Sequence, residues 1–275
     1  MYKEYLAFAK EIALYAGKVM LDNYNTDVNM DFKEDKTIVT RVDKGVNSYL
    51  IKKVKEKYPE HAVIGEEESN SFESDYVWVC DPLDGTSMYV NHIPVFVFSL
   101  ALVYKGEPIV GVIYNPNEDK MYTAIKGEGA YCNDVKISVN NKHLGELGYK
   151  TNVEIFKNNI LDEVLLIKEL KKKSKIVSIG SVARGSMAVA TGDFCCVVFP
   201  GTSHGNCDIA ASYLIVVEAG GKVTELNGNN QRYDTSINGA IISNGVSHDE
   251  ILEVVKNYIL WGGKNERKKE FNYLL

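Results

Sequence analysis

Cysteine is scarce in this sequence, and the cysteines present lack the spacing of a chelating or redox pair. The 275 residues include five of them, Cys80, Cys132, Cys195, Cys196 and Cys207. No two form a C-x-x-C motif, and the odd number argues against a disulfide framework. These absences argue against a zinc site or a dithiol redox centre and favour a reducing cytoplasm as the compartment.

Long apolar runs and an excess of positive charge are also missing. No stretch approaches the roughly 20 apolar residues that span a bilayer, and the first helix-like segment is amphipathic rather than signal-like. Thirty-one basic and 37 acidic residues give a formal net charge of −6, which argues against broad contact with nucleic-acid phosphates. We expect a cytoplasmic protein that binds neither membranes nor nucleic acid polymers.

The composition of the whole chain is typical of a globular protein. The first part of the chain predicts two helices followed by a sheet. Apolar residues recur at steps of three and four from Tyr5 to Val19, which predicts a helix with one buried face. Thr40 with Asp43 three residues later is a capping signal for a second helix over 42–57. From Ala62 onward, β-branched and aromatic runs separated by turns predict largely antiparallel strands.

After about Asn141 the pattern changes to alternating helices and strands. Runs such as LDEVLLIKEL, DFCCVVF and DIAASYLIVVEAGG are typical of an α/β arrangement. We therefore divide the chain into a helix-plus-antiparallel-sheet half, residues 1–141, and an α/β half, residues 142–275. No long Gly/Ser linker separates the two, so we expect them to share an interface.

Acidic residues stand at the ends of predicted strands or at the start of a predicted helix. Glu66 follows AVIG, Asp81 and Asp84 follow YVWVC, and Asp208 opens a helix. Irregular backbone after a strand can direct such side chains into a cleft, while Leu83 offers only its carbonyl oxygen. Carboxylates with a carbonyl are hard ligands that suit Mg²⁺ or Mn²⁺.

The residues after Asp84 favour an anion next to this metal site. Gly85 allows the backbone to approach a ligand closely, and the amides of Thr86 and Ser87 can face a phosphate. A metal ion beside a phosphate site implies phosphoryl chemistry.

Each of these features also has an ordinary structural explanation. Asp-Pro and Asp-Gly are common turn pairs, and Glu66 with its two neighbouring glutamates resembles a solvated acidic patch. Asp43 can be simply the capping partner of Thr40, and Asp208 a first-turn acid that the helix dipole favours.

Taken together, the motifs resemble the inositol monophosphatase superfamily of magnesium-dependent, lithium-sensitive phosphatases. The resemblance extends over nearly the whole chain and rests on IGEEES, WVCDPLDGTSMYV, GVIYNP…MYTAIKGEGAYCN, GSVARGSMAVATGD and CDIAASYLIVVEAGGKV, in the family's order. It implies a layered α/β/α/β/α sandwich, and a homodimer, which is common among members of the family.

The resemblance also implies a role for each acidic residue. Glu66, Asp81 and the carbonyl of Leu83 would bind one metal ion, and Asp81, Asp84 and Asp208 a second. Two such ions, about 3.5 to 4 Å apart, activate the attacking water and stabilise the leaving oxygen in an in-line displacement.

Further residues carried over from the family concern the water and the substrate. Thr86, Asp43 and Glu66 would be the catalytic residues, with Thr86 and Asp43 orienting the attacking water and Glu66 lying near a third, weaker metal ion. The expected substrate contacts lie in two groups, and the residues are Asp84, Gly85 and Thr86 in the first half and Ser181, Arg184 and His204 in the second.

Arg184 and His204 also have plain alternatives, an exposed helical arginine and a surface histidine. The Gly180 to Gly185 spacing is Walker-like but lacks the lysine of a P-loop.

Two positions depart from the family pattern and weaken any assignment to inositol phosphates. Cys207 stands where the family usually has tryptophan, and Gly201 stands where inositol-type members carry an acidic sugar-binding residue. The resemblance still implies hydrolysis of a phosphate monoester, with an inositol phosphate or related sugar phosphate as the expected substrate. The alternatives are a nucleotide 3′-phosphatase, a fructose bisphosphatase, or a non-catalytic descendant that binds phosphometabolites.

Overall fold

A computed structural model describes residues 2–26, 30–32, 38–146, 148–155, 160–202 and 204–260. The helices are α1 (Tyr2–Tyr24), α2 (Arg41–Lys57), α3 (Thr86–Val90), α4 (Glu163–Leu170), α5 (Val182–Ala190), α6 (Gly205–Glu218) and α7 (His248–Lys256). The strands are β1 (Met30–Phe32), β2 (Ile38–Thr40), β3 (Ala62–Gly65), β4 (Tyr76–Asp84), β5 (Val97–Tyr104), β6 (Glu107–Asn115), β7 (Lys120–Ile125), β8 (Gly129–Cys132), β9 (Val135–Lys136), β10 (Lys150–Val153), β11 (Lys175–Val177), β12 (Phe194–Phe199), β13 (Lys222–Thr224) and β14 (Ala240–Ser243).

Both predicted N-terminal helices are present. Helix α2 begins after Thr40, whose side chain accepts from the amide of Asp43 while the Asp43 carboxylate accepts from the amide of Thr40. This reciprocal capping box satisfies two backbone donors that would otherwise lack partners at the helix start. Helices α1 and α2 pack against one face of a seven-stranded sheet of order β3-β4-β5-β6-β7-β8-β9. The sheet is antiparallel except for the parallel β3–β4 pair.

The second sheet has five strands in the order β11-β10-β12-β14-β13. Strands β11, β10 and β12 run parallel, and β14 runs antiparallel to both of its neighbours. Strand β10 was missed by the sequence analysis because Lys150–Val153 is a mostly polar run. Thr151 and Asn152 are nevertheless fully buried.

Alternating burial shows how the layers stack. In β5, Phe98, Leu100 and Leu102 face α1 and α2, while the alternate residues face a middle layer formed by α5 and α6. In β12, Val197 faces that middle layer, whereas Val198 faces the outer helices α4 and α7. Because side chains alternate across a strand, each sheet is covered on both faces. The order of layers is α/β/α/β/α, and the predicted fold class is confirmed.

This architecture brings three chain segments to one place. The carboxyl end of β4, the start of α5 and the start of α6 meet where the two sheets share their middle layer of helices. Among the described residues no helix has both the length and the apolar character to cross a membrane.

Candidate active site

Three carboxylates from distant parts of the sequence converge in the structure. Oxygen atoms of Asp81, Asp84 and Asp208 all lie within 4.8 Å of one another. Their exposed fractions are only 2%, 7% and 9%, so water does little to separate their charges. The structure thus brings together three of the residues predicted as metal ligands.

The irregular end of β4 directs the first two of these side chains to the same side. The pairing of β4 with β5 shifts register between Asp81 and Asp84, and the amide of Leu83 donates to Asp81 Oδ1 at 2.9 Å. Gly85 then has φ +94°, and a Cβ there would lie 2.6 Å from the carbonyl oxygen of Val95. Any larger residue at position 85 would therefore meet both backbone strain and a steric clash.

Asp84 is held by the start of α5. Its Oδ2 accepts from the Ser181 hydroxyl at 2.7 Å and from the amide of Ala183 at 2.6 Å. Ser181 is also the N-cap of α5, because its hydroxyl accepts from the amide of Arg184 at 3.2 Å. The predicted substrate residue Ser181 therefore contacts a predicted metal ligand directly.

Asp208 lies in the first turn of α6 and accepts from the Thr202 hydroxyl at 3.1 Å. The residue before it, Cys207, is fully buried, with its sulfur 3.9 Å from the carbonyl oxygen of Ile64. Burial raises the pKa of the Cys207 thiol well above its ordinary value, so this cysteine is neutral packing rather than a reactive thiolate.

Burial and mutual repulsion favour the protonated forms of the three carboxylates. Burial is the largest cause for each, and it raises the pKa of Asp84 to about 7 and the pKa of Asp81 and of Asp208 well above normal. The negative charge of Glu66 raises the pKa of all three further. Within the described part of the chain, no lysine, arginine or histidine forms a salt bridge with Asp81, Asp84 or Asp208.

This chemistry fits a divalent cation. Buried like charges are costly unless a cation or hydrogen bonds compensate them, and the hydrogen bonds described leave the group without a positive partner. Oxygen-only donors are those that Mg²⁺ and Mn²⁺ prefer. The residues present could therefore hold such an ion.

Thr86 links the group of three carboxylates to Asp43. Its hydroxyl lies 3.1 Å from Asp43 Oδ1 and 3.0 Å from the carbonyl oxygen of Leu83, and it can donate to either. The other oxygen of Asp43 accepts from the amide of Thr40 at 2.8 Å. Asp43 is thus both a capping residue and a neighbour of the site, and burial raises its pKa to about 7.

The remaining predicted site residues are distributed around the cluster. Glu66 follows β3, is half-buried, and donates its amide to the Cys80 carbonyl at 3.1 Å, but it lies outside the tight group of three carboxylates. His204 is exposed and immediately precedes α6. Arg184 points to the turn after β6, where its guanidinium bonds Glu118 at 2.9 Å.

Sequence reasoning missed two acidic residues near these predicted ones. Glu118 fixes Arg184 across 66 positions of the chain, and no local pattern indicates such a distant pair. Glu154 is a buried carboxylate that follows the missed strand β10 and bonds the loop before Ser181. A glutamate at the end of a strand was the available signal for Glu154, but the strand itself was not predicted.

Comparison with known proteins places this geometry in a family. The model of the inositol monophosphatase family matches residues 1–260. The chain belongs to the inositol monophosphatase family. It is a phosphoric monoester hydrolase, as the motifs predicted, and the alternatives named above are not favoured.

Relatives in this family match the chain over most of its length. A fructose-1,6-bisphosphatase/inositol-1-monophosphatase of Aquifex aeolicus is 34% identical, covering 94% of this chain and 97% of the relative. Human inositol monophosphatase 1 is 30% identical, covering 82% and 85%. The solved structure of an IMPase from Thermotoga maritima superposes with a TM-score of 0.82 at 27% identity, covering 92% of this chain and 97% of that one.

Proposed function

We propose that this chain is a Mg²⁺-dependent phosphatase of inositol phosphates or related sugar phosphates, with Mn²⁺ as a possible substitute. The observation that carries the proposal is the group of three buried carboxylates, within 4.8 Å of one another and without a cationic partner among the described residues. Asp81, Asp84 and Asp208 would hold the metal, joined by Glu66 and the carbonyl oxygen of Leu83. When bound, the metal supplies an acidified water and neutralises charge on the leaving oxygen.

The chain's own residues then orient the water and move its proton. Thr86 Oγ1 accepts a hydrogen bond from the attacking water while donating to Asp43. As the water oxygen forms its bond to phosphorus and the ester P–O bond breaks in line, the water's proton passes to Thr86 and the threonine's proton to Asp43. The pKa of about 7 for Asp43 suits a general base at neutral pH.

Substrate contacts would come from Gly85, Ser181, Arg184 and His204. Arg184 is bonded to Glu118, so a second anionic group of a substrate would have to compete with that carboxylate. Gly201 replaces the acidic sugar-binding residue of inositol-type members, which argues for tolerance toward related sugar phosphates.

On this proposal, the two parts of the chain have different tasks. Residues 1–141 would carry most metal ligands, and residues 142–275 would carry Asp208 and the substrate contacts of α5 and α6. We further propose a cytoplasmic homodimer that is sensitive to lithium and binds neither nucleic acid polymers nor membranes, in keeping with the net charge of −6.

The experiment is a phosphate-release assay over a panel of substrates at fixed Mg²⁺. The panel contains inositol 1-phosphate, fructose 1,6-bisphosphate and a nucleoside 3′,5′-bisphosphate, each with and without excess chelator and with added Li⁺. We expect release from inositol 1-phosphate or a related sugar monophosphate, loss of release in chelator, and inhibition by Li⁺. Full turnover in excess chelator would contradict the metal assignment, and preference for the nucleotide would contradict the substrate class.

A further inference from the structure

Besides Asp43, one more buried carboxylate lies close to Asp81, Asp84 and Asp208 but outside their group. Glu154 directly follows β10 and is 1% exposed. No salt bridge to Glu154 is found within the ranges that the structure describes. Its neutral partners must therefore account for its presence in the interior.

Those partners are the donors of one loop and one strand. Glu154 Oε1 accepts from the side-chain amide of Asn152 at 2.7 Å. Glu154 Oε2 accepts from the amide of Gly180 at 3.2 Å and from the Ser178 hydroxyl at 3.4 Å. We call Ser178, Ile179 and Gly180 the anchored loop, because its first and last residues bond Glu154.

The anchored loop leads directly into the residues that hold Asp84. Ser181 follows it, caps α5 and donates to Asp84, and Ala183 donates its amide to the same oxygen. On its other side the loop packs closely, since a Cβ at Gly180 would lie 2.5 Å from Met88 Cε of α3. The loop is thus confined between Glu154 and the helix that begins with Thr86.

The carboxylate form of Glu154 has an electrostatic cost that a purely structural acceptor would avoid. Its negative charge raises the pKa of Asp84, and burial raises the pKa of Glu154 itself. A glutamine could accept at one atom only and would turn an NH₂ group toward further donors. A carboxylate accepts at both oxygens, so it bonds Asn152 on one side and Ser178 and Gly180 on the other.

We propose that Glu154 is a positioning residue for the metal site: through the anchored loop it sets where Ser181 and Ala183 hold Asp84. This inference rests on the proposed function, because it assigns Asp84 to metal binding. Glu154 contacts neither metal nor substrate and acts only through the loop.

The test compares three variants of the full chain. Glu154→Gln removes the charge and half of the acceptor capacity, and Ser178→Ala removes one loop donor with little risk to folding. Glu250→Gln is the matched control, because it removes an identical charge from the same half of the chain. Among the described residues, the Glu250 side chain bonds Lys173 at the surface, at 3.3 Å. Hydrogen exchange of the metal-free proteins, the rise in melting temperature with added Mg²⁺, and phosphate release against Mg²⁺ are measured for each.

For Glu154→Gln we expect exchange about tenfold faster in peptides from 178–184, since the loop loses hydrogen bonds to a charged acceptor, which are stronger than those to a neutral one. The Mg²⁺ concentration for half-maximal activity and for half-maximal thermal shift should rise roughly ten- to a hundredfold, the usual cost of losing an outer partner of a metal ligand. Turnover at saturating Mg²⁺ should stay within about threefold of wild type. Ser178→Ala should change each quantity in the same direction by less, and Glu250→Gln should change none.

Two results would overturn the proposal. One is wild-type exchange in 178–184 together with wild-type Mg²⁺ dependence in Glu154→Gln. The other is faster exchange throughout β10 and β12 with an unchanged Mg²⁺ half-saturation, which means that Glu154 only stabilises the sheet. If wild-type protein released no phosphate from any substrate, the proposed function would fail, while exchange and the Mg²⁺ thermal shift would still decide the role of Glu154.

Discussion

Two buried polar clusters of this molecule differ in how their charges are compensated. The acidic cluster of Asp81, Asp84 and Asp208 gathers like charges without a positive partner among the described residues. The second cluster surrounds His248, which is fully buried between β13, β14 and the start of α7. There, each polar atom of the ring has a neutral partner.

The His248 cluster shows what a buried polar group looks like when it serves structure. Its Nδ1 lies 2.8 Å from the Ser243 hydroxyl and its Nε2 lies 3.1 Å from the Thr224 hydroxyl. The Thr224 hydroxyl also donates to the Glu225 carbonyl at 2.9 Å, and the Ser243 hydroxyl to the Lys222 carbonyl at 3.2 Å. Burial lowers the pKa of His248 to about 4, which keeps the ring neutral at physiological pH.

The difference between the clusters separates two uses of the interior. In the His248 cluster, hydrogen bonds offset the cost of burial within the chain itself. In the acidic cluster, the folded chain alone leaves that cost in place, as the raised pKa values of its three carboxyls indicate. A residue of the His248 cluster should therefore matter for stability, and a residue of the acidic cluster should matter for activity.

Asp208→Asn provides the strongest test of this separation. The substitution keeps the volume but removes one charge from the metal site, so phosphate release should fall by more than the roughly 10² to 10⁴ expected for a lost acid–base group. The melting temperature of the metal-free protein should stay level or rise, because repulsion among the carboxylates decreases. Phosphate release and metal-free melting are measured on the same preparation.

A fully active Asp208→Asn enzyme at ordinary Mg²⁺ would remove Asp208 from the metal site. A strongly lowered melting temperature of the metal-free variant would mean that Asp208 stabilises the fold instead.

Thr86→Val tests the proton path beside the acidic cluster. The variant keeps the shape of Thr86 but lacks the hydroxyl that bonds Asp43 and the Leu83 carbonyl. We expect kcat to fall roughly 10²- to 10⁴-fold while Mg²⁺ binding persists. Kinetics and a Mg²⁺-induced thermal shift measure the two properties separately, and a kcat within about twofold of wild type would reduce Thr86 to a helix-start residue.

The two clusters should also respond to pH with opposite signs. Between pH 3.8, the ordinary pKa of aspartate, and about 7, folded Asp84 holds a proton that the unfolded chain has released, so stability falls as pH rises. Between about 4 and 6.5, folded His248 lacks a proton that the unfolded chain holds, so stability rises with pH. The effect is at most about 1.4 kcal/mol per pH unit and group.

Because several carboxyls oppose one histidine, the acidic cluster should dominate in metal-free protein. Urea midpoints in chelator should be higher near pH 5 than near pH 7.5. Saturating Mg²⁺ should raise the midpoint more near pH 7.5, since protons compete with the metal for the carboxylates. Greater metal-free stability near pH 7.5 would mean that the buried carboxylates of the acidic cluster do not lower the stability of the protein.

Thr224→Val is the counterpart in the His248 cluster and should have the smallest effect on activity. The valine leaves Nε2 of His248 without its hydrogen-bond partner, which typically costs about 1 to 3 kcal/mol of unfolding free energy. Urea unfolding measures that loss, and kcat and KM should match wild type. A changed KM with unchanged stability would mean that the His248 cluster affects the active site, which would contradict the proposed difference between the two clusters.

Sequence reasoning predicted the layers because their signals are local. Buried strands such as β5 and β12 are continuous apolar runs, and Thr40 with Asp43 indicates the start of α2 directly. Strand β10 was missed because Thr151 and Asn152 are polar. In the core, Thr151 bonds the distant Ser174, and Asn152 bonds Glu154, two residues further along the chain. Such burial depends on tertiary hydrogen bonds that no periodicity reveals.

The site residues were predictable where one short motif contains them. They were not predictable where a partner distant in sequence sets the direction of a side chain. Asp81 and Asp84 lie in one short turn, and the structure brings Asp208 to them as expected. For Asp43 the two explanations offered by the sequence are compatible, because one carboxyl oxygen faces Thr40 and the other faces Thr86. The direction of Arg184 depends on Glu118, and the sequence gives no reason to pair them.

The bonds from Ser181 and Ala183 to Asp84 have a consequence for how the chain matures during synthesis. They join residues 97 and 99 positions apart, and Asp208 arrives later still. A chain growing from its N-terminus can complete the seven-stranded sheet while Asp81 and Asp84 still lack both their hydrogen-bond donors and the third carboxylate. The binding energy of the proposed ion would therefore become available on the ribosome only in the last stage of folding, when α5 and α6 close over the sheet.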